Sequence, residues 1–580
     1  MKRICLFLAS LMLGLSSFAA PMRVATVHIP NLQGLIDDVV ELADALEAPL
    51  SPEMVTGEVG KLLHAAALEG VDISKPIVMV GGLDADDPNA DASAYRFSVT
   101  GDGTDYLDRV RLEFDEPEEL GDGAYLFKND YLSFFVKIAD GVALAGSSPE
   151  MVETLAASGF EAESAVVDAM PGGVSVAVDL NALNILMRHQ IERQKASMAA
   201  MKAQFEAEGI DTSGMFEEDP AAGMDTALDM INRIAAELDG LVMNLDLRRD
   251  ITLRFHLQPR PGSMVSSALA EMGPVPPKIA GQRNPKAFLT FYGTMQGFDH
   301  FAEPYAKWVA EMYRQMGPPM DAMADGYEKM LTSMMGIYSG GYNFLMLPPR
   351  AEDWVQGMGV YEIHDAAKAR EANELMIKMY VDESSEEDSP FTMTYHQEES
   401  EPYQGIAIDS YRVEVTFGAD APPMPGPVAA LVNNLRYHVA YMDNLMPYAL
   451  GDVANLHAMI DYLKSDEIPD VVHAGFADIT AAPIGFWEFD LGSLIASVGE
   501  MMGPLGLEGL NAGLRGITVK EMNGVTTMIR LTREDMNTIK NAASAFLPKR
   551  GGGFGGAPAD YDYDESWDDE TYFEEEFPED

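Results

Sequence analysis

The sequence predicts an α+β protein built as a tandem duplication, each half a mostly antiparallel sheet with helices packed on one face. Three observations lead to this prediction. Asp-Gly and Asn-Gly turns, as in KIADGVAL and KEMNGVTT, join neighbouring strands, and such short turns connect antiparallel strands. Helical segments alternate with the strands, and hairpins covered by helices are typical of the α+β class. One order of elements also recurs in the two halves.

The N-terminus predicts a secretory signal peptide over residues 1–19. The basic pair Lys2-Arg3 precedes the apolar stretch ICLFLASLMLGL, and Ala19 ends a small-x-small motif for signal peptidase. The chain's single cysteine, Cys5, lies inside this segment, so no disulfide is expected after cleavage. No later apolar run reaches the roughly 20 residues of a membrane-spanning helix. We therefore expect a periplasmic or extracellular protein with no integral membrane segment.

The duplication is predicted from four strand-to-helix segments that share one pattern. They are RVATVHIPNLQGL (23–35), GVSVAVDLNALNIL (173–186), AFLTFYGTMQGF (287–298) and IGFWEFDLGSL (484–494). The segments between them also correspond in order, and the junction GPVPPKIAGQRNP has the proline and glycine density of a linker. The predicted boundaries are a signal peptide at 1–19, a first half at 20–278, a linker at 279–286, a second half at 287–549 and a disordered acidic and aromatic tail at 550–580.

Two aspartates stand at corresponding turns of the two halves. Asp179 and Asp490 each end a strand and precede a helix, which is the position of an N-cap residue. Glu488 lies on the same strand face as Asp490, and paired carboxylates can serve as acid and base. The first half has Ala177 at the matching position, so the pair occurs once. We therefore interpret both aspartates as structural helix caps.

The acidic composition excludes whole classes of partner. The chain has 93 acidic and 39 basic residues, a formal net charge of −54. Such a surface repels phosphate backbones and anionic lipid, so no nucleic acid is expected. The sequence also lacks a GxSxG elbow, a P-loop and an HExxH motif. It therefore predicts no cofactor, no metal ligands and no catalytic residues that can be named, and it favours a protein that is not an enzyme.

The C-terminal stretch ADYDYDESWDDETYFEEEFPED carries twelve carboxylates and no basic residue. The densest basic region of the chain lies around the junction between the halves. The simpler interpretation of the tail is a solvated, disordered end. The alternative hypothesis is that the tail docks transiently on the basic cluster, or is displaced from it by a basic partner. The cluster comprises Arg248, Arg249, Arg254, Arg260, Lys278, Arg283 and Lys286.

Taken together, these features predict an exported non-catalytic binding or scaffold protein of the bacterial cell envelope, whose partner is a protein, a peptide or an apolar ligand. Two alternatives stay open. One is a hydrolase of unfamiliar type. The other is copper handling by methionine, because the chain has 38 methionines, seven of them between residues 312 and 335, and soft sulfur ligands select Cu(I). Methionine clusters serve equally as adaptable packing or as a binding groove. A long apolar groove favours binding, whereas clustered titratable groups in a deep pocket favour an enzyme.

Overall fold

The computed structural model describes most of the chain between residues 22 and 546. The described ranges are 22–45, 51–83, 93–129, 132–149, 152–153, 172–207, 232–315, 321–349, 355–384, 391–417, 435–468, 471, 473, 475–495, 512–521 and 523–546. The predicted signal peptide and the predicted tail from residue 550 lie outside the described residues.

The described residues contain twenty strands, ten in each half of the chain. The first ten are β1 (Met22–Ile29), β2 (Ile77–Leu83), β3 (Ser93–Ser98), β4 (Glu118–Gly121), β5 (Ala124–Lys128), β6 (Ser133–Ala139), β7 (Val142–Gly146), β8 (Val174–Asp179), β9 (Leu238–Asp246) and β10 (Ile251–Pro259). The second ten are β11 (Leu289–Thr294), β12 (Tyr338–Leu347), β13 (Gln356–Ile363), β14 (Phe391–Glu398), β15 (Ile408–Phe417), β16 (Leu435–Ala440), β17 (Leu445–Leu450), β18 (Pro483–Asp490), β19 (Gly513–Glu521) and β20 (Gly524–Leu531).

Helices follow several of these strands. They are α1 (Leu32–Ala45), α2 (Pro52–Leu62), α3 (Thr104–Val110), α4 (Leu180–Ala207), α5 (Met264–Glu271), α6 (Pro277–Ala280), α7 (Phe298–Gln315), α8 (Asp321–Ser333), α9 (Ala366–Ser384), α10 (Val453–Lys464) and α11 (Arg533–Phe546). Among the described helices, none combines the length and the apolar character needed to cross a membrane.

All twenty strands belong to one sheet, and every pairing between them is antiparallel. Following the pairings gives the order β4-β5-β6-β7-β3-β2-β1-β8-β9-β10-β20-β19-β18-β11-β12-β13-β17-β16-β15-β14. The predicted α+β class with an antiparallel sheet is therefore confirmed.

The same strand order is met on both sides of the β10–β20 pair. Moving outward, β9, β8, β1 and β2 follow on one side, and β19, β18, β11 and β12 follow on the other. At the pair itself, Ile251 lies opposite Leu531 and Leu257 lies opposite Val525. We call this strand pair the seam. Because residues 251–257 all pair with β20, the sheet passes from one half of the chain into the other without a gap.

Helices cover both faces of the sheet in the second half, so the predicted packing on one face is wrong there. Strand β13 demonstrates the arrangement, because alternate residues of a strand point to opposite faces. Met358 and Val360 pack in a core cluster with Leu456 of α10. Tyr361, on the other face, packs in a cluster with Ala369 of α9. The physical reason is that β13 is buried on both sides, and a strand of that kind carries no polar face to expose.

One hairpin turn and one long helix agree with the sequence prediction more closely than the packing of the helices does. The Asp140-Gly141 turn joins β6 to β7 with both residues at positive φ, 52° and 76°, as a two-residue hairpin turn requires. The long helix α4 begins at Leu180. Its apolar stripe, which predicts a core face, is buried at Ile191 but 43% exposed at Met201.

The segment predicted as a linker packs against the second half. Ile279 and Ala280, at the end of α6, are buried in the same core cluster as Tyr292 of β11 and Leu456 of α10. Apolar contacts of these two residues therefore hold the start of the predicted linker against the second half.

Candidate functional site

A cavity of about 390 Å³ lies between α9 and the face of strands β12 to β17. Its lining is aromatic and aliphatic, with one amide side chain and no charged residue among the lining positions. We call it the tyrosine pocket and define it by Tyr338, Tyr361, Tyr395, Tyr437, Tyr448 and Asn373. A lining of this composition suits a neutral, largely apolar molecule, because a charged ligand would lose its hydration without gaining a counter-ion.

The tyrosines are brought together by the sheet. Tyr361 on β13 and Tyr448 on β17 are stacked with ring centroids 5.4 Å apart and planes 18° apart. Tyr437 on the next strand, β16, lies 6.4 Å from Tyr448. Side chains on one face of adjacent strands meet in this way, and aromatic pairs at such distances stabilise both the sheet and each other. The floor of the tyrosine pocket is therefore a continuous aromatic surface.

The space above this floor exists because α9 presents small side chains. Ala369 and Ala372 face the cavity and are 3% and 7% exposed. In the first half, α3 follows β3 as α9 follows β13, and there Tyr106 and Leu107 of the helix are buried in the core together with Phe127. The helix after β3 thus packs large side chains into its core, whereas the helix after β13 presents alanines to a cavity.

The polar groups of the pocket are neutral. Burial raises the pKa of Tyr437 and of Tyr448 well above the usual range of a tyrosine, so both hydroxyls stay protonated. The Tyr437 hydroxyl donates a hydrogen bond of 3.1 Å to Oδ1 of Asn373. Asn373 is only 7% exposed, and its Nδ2 has no hydrogen-bond partner among the described residues. The side-chain amide of Asn373 thus has a donor left unpaired by the described part of the chain, at a residue that lines an apolar cavity.

A second cavity, about 700 Å³ in volume, lies beside the seam, and we call it the seam cleft. It is strongly polar, unlike the tyrosine pocket. Its charged lining residues are Asp246, Arg248, Arg249, Asp250, Arg254, Asp478 and Arg530. Four arginines against three aspartates give this lining a small excess of positive charge in a strongly acidic chain.

Ion pairs hold two of the arginines of the seam cleft closely. Arg530 donates to both carboxylate oxygens of Asp478, at 2.9 and 3.1 Å. Arg248 donates to Oδ2 of Asp246 at 2.8 Å. The pKa of Arg254 is lowered, first by burial and also by the nearby charge of Arg530. A carboxylate that entered the cleft would offset this repulsion between the two arginines.

The structure brings together only part of the predicted basic cluster. Arg248, Arg249 and Arg254 line the seam cleft. Arg260 pairs instead with Asp239 at 3.0 Å, and Lys286 is exposed elsewhere on the chain.

Two members of the predicted cluster belong to the packing of the second half. Lys278 donates to the carbonyl oxygens of Ser465, at 2.6 Å, and Glu467, at 2.8 Å, just beyond the end of α10. Arg283 lies over the Phe486 ring, with 5.5 Å between its guanidinium carbon and the ring centroid. These two cations are therefore engaged away from the cleft.

Sequence reasoning missed Arg530. This residue lies more than 270 positions from Arg254 and enters the cleft only because β20 pairs with β10, which places it opposite Thr252. No local pattern in the sequence specifies that pairing. A signal was present only in the alternating pattern of TTMIRL, which predicts a strand but not its neighbour.

The two aspartates predicted as caps accept backbone hydrogen bonds at helix starts. Oδ1 of Asp179 accepts from the amides of Asn181 and Ala182, at 2.9 and 3.0 Å. Oδ1 of Asp490 accepts from the amide of Ser493 at 3.0 Å. These are the hydrogen bonds that an N-cap residue makes.

The neighbouring Glu488 accepts a hydrogen bond of 2.7 Å from Nε of Arg515. Arg515 also binds the buried Asp535. Glu488 is therefore part of an ion-pair network that ties β18 to β19 and α11, and this network accounts for the carboxylate next to Asp490.

A buried serine and histidine form the most enzyme-like contact among the described residues. Oγ of Ser410 lies 2.7 Å from Nδ1 of His438, and Nε2 of His438 lies 3.0 Å from the carbonyl oxygen of Gly451. Ser400 donates a hydrogen bond to Ser410. Nε2 therefore carries the proton of the imidazole, which leaves Nδ1 to accept from Ser410. Ser410 itself is only 2% exposed, so a substrate has access at most to Ser400.

The described residues bear on the metal alternative in two ways. No group of three or more histidine, cysteine, aspartate or glutamate side chains is arranged there to hold a metal ion. Of the methionine-rich segment, Met330 and Met334 pack with Ala306 and Leu331 in an apolar cluster. Met316 and Met320 lie outside the described side chains.

Comparisons with protein-family models, with curated proteins and with solved structures find no match to this chain.

Proposed function

We propose that this chain is an exported, non-catalytic binding protein of the bacterial cell envelope, and that the tyrosine pocket holds its ligand. The observation that carries the proposal is a preformed, uncharged, tyrosine-lined cavity next to a helix of small residues. Ligand sites are commonly concave and apolar with a few polar groups, and this cavity has that composition. Export is inferred from the predicted signal peptide, whose residues are Met1 to Ala19.

The two halves are proposed to descend from one ancestral unit. The proposal is supported by the strand order, which is the same outward from the seam on both sides, and by the recurring sequence segments. A common ancestor would explain why α3 and α9 follow corresponding strands but differ in the size of their buried side chains. One copy keeps a filled core that stabilises the molecule, and the other has exchanged large helix residues for alanine and so gained a cavity.

Binding of N-phenyl-1-naphthylamine tests the proposal, because this neutral probe fluoresces strongly in apolar surroundings. We expect the wild-type protein to bind it with saturation. The substitution Ala372→Leu puts a larger side chain into the cavity and should weaken binding at least tenfold, while it leaves stability unchanged or raises it, because the cavity is filled. The matched control is Lys368→Leu, on the exposed side of the same helix, which should bind like wild type. Equal binding by all three proteins would contradict the proposal.

A hydrolase is the second candidate, and the contact between Ser400, Ser410 and His438 favours it. In that case, Ser400 is the nucleophile, and its proton passes through Ser410 to Nδ1 of the histidine. A fluorophosphonate probe reacts covalently with activated serines. Labelling of wild type that is lost in Ser400→Ala would support the hydrolase, whereas no labelling would remove this candidate.

The predicted docking of the acidic tail is proposed for the seam cleft rather than for the whole basic cluster. Arg533, the first residue of α11, contacts Asp250 at the rim of the cleft, and α11 is about 21 Å long. The chain from residue 547 to the first tail acid is 13 residues, which extend to at most about 45 Å. The acids can therefore reach back to Arg249.

Modification of arginine by phenylglyoxal tests this docking. In the full chain at low salt, Arg249 should react more slowly than in a chain truncated after residue 550. High salt should remove the difference, because it screens exposed charges. The control is Arg109 in the first half, which should react alike in both chains. Equal reactivity of Arg249 at low salt would contradict the docking.

A further inference from the structure

We infer that the ligand of the tyrosine pocket is a neutral planar aromatic molecule that carries a hydrogen-bond acceptor, such as a carbonyl group, and that Asn373 donates to this acceptor. The inference rests on the proposed function of the pocket. It adds the chemical class of the ligand and the residue that selects it.

The first argument comes from the unused donor. A buried polar group without a partner destabilises the fold, which is why nearly all such groups are paired in folded proteins. Asn373 is more than nine-tenths buried, its Oδ1 accepts from Tyr437, and its Nδ2 has no partner in the described part of the chain. Asn373 is one of the residues that line the cavity, and a ligand acceptor that reached its Nδ2 would supply the missing hydrogen bond.

The second argument comes from the shape and chemistry of the walls. The stacked rings of Tyr361 and Tyr448 offer flat surfaces, and three methionines, Met334, Met376 and Met446, line the cavity beside the aliphatic side chains. Aromatic rings and methionine sulfur both make favourable directional contacts with aromatic ligands, beyond the burial of apolar area. Aliphatic chains gain none of these directional contacts. The walls therefore favour a planar ring system over a lipid tail.

The third argument concerns the hydroxyl of Tyr437. Its hydrogen bond to Oδ1 fixes the amide plane of Asn373, so that Nδ2 is held in one direction before a ligand arrives. A donor fixed in advance loses little entropy on binding and gives more discrimination than a free side chain. Tyr437 is thus a positioning residue, and Asn373 is the residue that contacts the ligand.

Two matched probes test the inference. The compounds 2-acetylnaphthalene and 2-ethylnaphthalene have nearly the same shape, but only the ketone has an acceptor. Their dissociation constants are measured by equilibrium dialysis with wild type and with Asn373→Leu, which keeps the size of the side chain and removes the donor. We expect the substitution to weaken binding of the ketone about tenfold relative to binding of the hydrocarbon. A second variant, Tyr437→Phe, should weaken binding of the ketone relative to binding of the hydrocarbon by a smaller factor than Asn373→Leu does.

The outcomes separate this inference from the function on which it rests. If both probes bind wild type and Asn373→Leu changes both constants by the same factor, the pocket binds ligands but Asn373 does not select them, and the inference is overturned. If neither naphthalene probe nor N-phenyl-1-naphthylamine binds wild type, the proposed function fails as well. Urea unfolding of Asn373→Leu and of Tyr437→Phe verifies that both variants fold.

Discussion

Arg515 illustrates how single residues hold the sheet to its covering helices. Its guanidinium bridges Glu488 on β18 and Asp535 on α11, and Asp535 also accepts from the amide of Gly513. The side chains of Arg515 and Asp535 are 14% and 5% exposed. Removing the cation leaves a buried carboxylate without its partner, which is costlier than the loss of an exposed ion pair.

We therefore expect Arg515→Met to lower the free energy of unfolding by about 3–5 kcal/mol. The matched control is Arg109→Met, because Arg109 pairs with Glu69 at the surface, where ion pairs contribute about 0–1 kcal/mol. Urea unfolding measures both variants. Equal small losses in the two would contradict the assignment of a structural role to the Arg515 network.

His438 predicts a pH dependence of stability. Burial lowers the pKa of His438 below its usual value, with the nearby charge of Arg436 adding to the effect. In the unfolded chain the pKa returns to about 6.5, so the unfolded state binds a proton first as the pH falls. The contribution of His438 is thus fully present above pH of about 6.5 and is lost below it, at up to about 1.4 kcal/mol per pH unit.

The substitution His438→Gln removes this titration. We expect its free energy of unfolding to depend less on pH between about 7 and 5 than that of wild type. Some slope should remain, because burial also lowers the pKa of His256 and of His473. Urea unfolding at several pH values measures the slope, and an unchanged slope would show that His438 does not contribute.

At the residue scale, the sequence predicts what depends on near neighbours. The hydrogen bonds of Asp179 and Asp490 involve amides two or three positions away, so a local pattern is enough to place them. Arg530 and Asn373 were missed for the opposite reason. Their significance depends on a strand pairing and on a cavity, and neither is encoded in the residues next to them in the chain.

At the scale of elements, strands and hairpins are predicted better than the faces that they bury. The Asp140-Gly141 turn is specified by two residue types that tolerate positive φ. The second covering layer on β13 is not predicted, because the strand QGMGVYEI places the polar Gln356 and Glu362 on the same face as Met358 and Val360. The tyrosine pocket was missed for a related reason, since its cause is the small size of Ala369 and Ala372, which is an ordinary feature of a helix.

The Asp140-Gly141 turn gives a prediction at this scale. Gly141 has φ of 76°, and a Cβ added at this position would meet nothing within 4 Å, so Gly141→Ala should cost about 1 kcal/mol through backbone strain alone. Gly57 in α2 is the matched control. A Cβ there also meets nothing within 4 Å, so Gly57→Ala should instead stabilise by about 0.5–1 kcal/mol. Thermal unfolding compares the two, and effects of the same sign would contradict this account of the turn.

At the scale of the whole molecule, the seam decides how the halves depend on each other. The recurring order of elements could be predicted from the sequence, but their union in one sheet could not, because β10 and β20 lie some 270 residues apart. On one side of the seam, Leu42 of α1 and Met536 of α11 pack in one cluster with Leu247. Apolar contacts and sheet hydrogen bonds therefore both join the halves.

Proline at the centre of the seam tests this union. Thr527 pairs with Phe255 of β10 and with Thr518 of β19. We expect Thr527→Pro to cost at least about 3 kcal/mol and to speed hydrogen exchange of the amides at 251–257, while β12 and β13 keep their protection. Thr527→Val, which retains the strand, should exchange like wild type. Unchanged exchange at 251–257 in the proline variant would mean that the seam is not a structural joint.

The central claim is that the tyrosine pocket holds an apolar ligand, and native mass spectrometry of protein isolated gently from its own cell envelope tests it most directly. Wild type should carry a bound small molecule that adds a defined mass, and Ala372→Leu, isolated in parallel, should lack it. The added mass should belong to a neutral compound with an aromatic ring and a hydrogen-bond acceptor. Wild-type protein that is bare, or an adduct that survives unchanged in Ala372→Leu, would contradict the account.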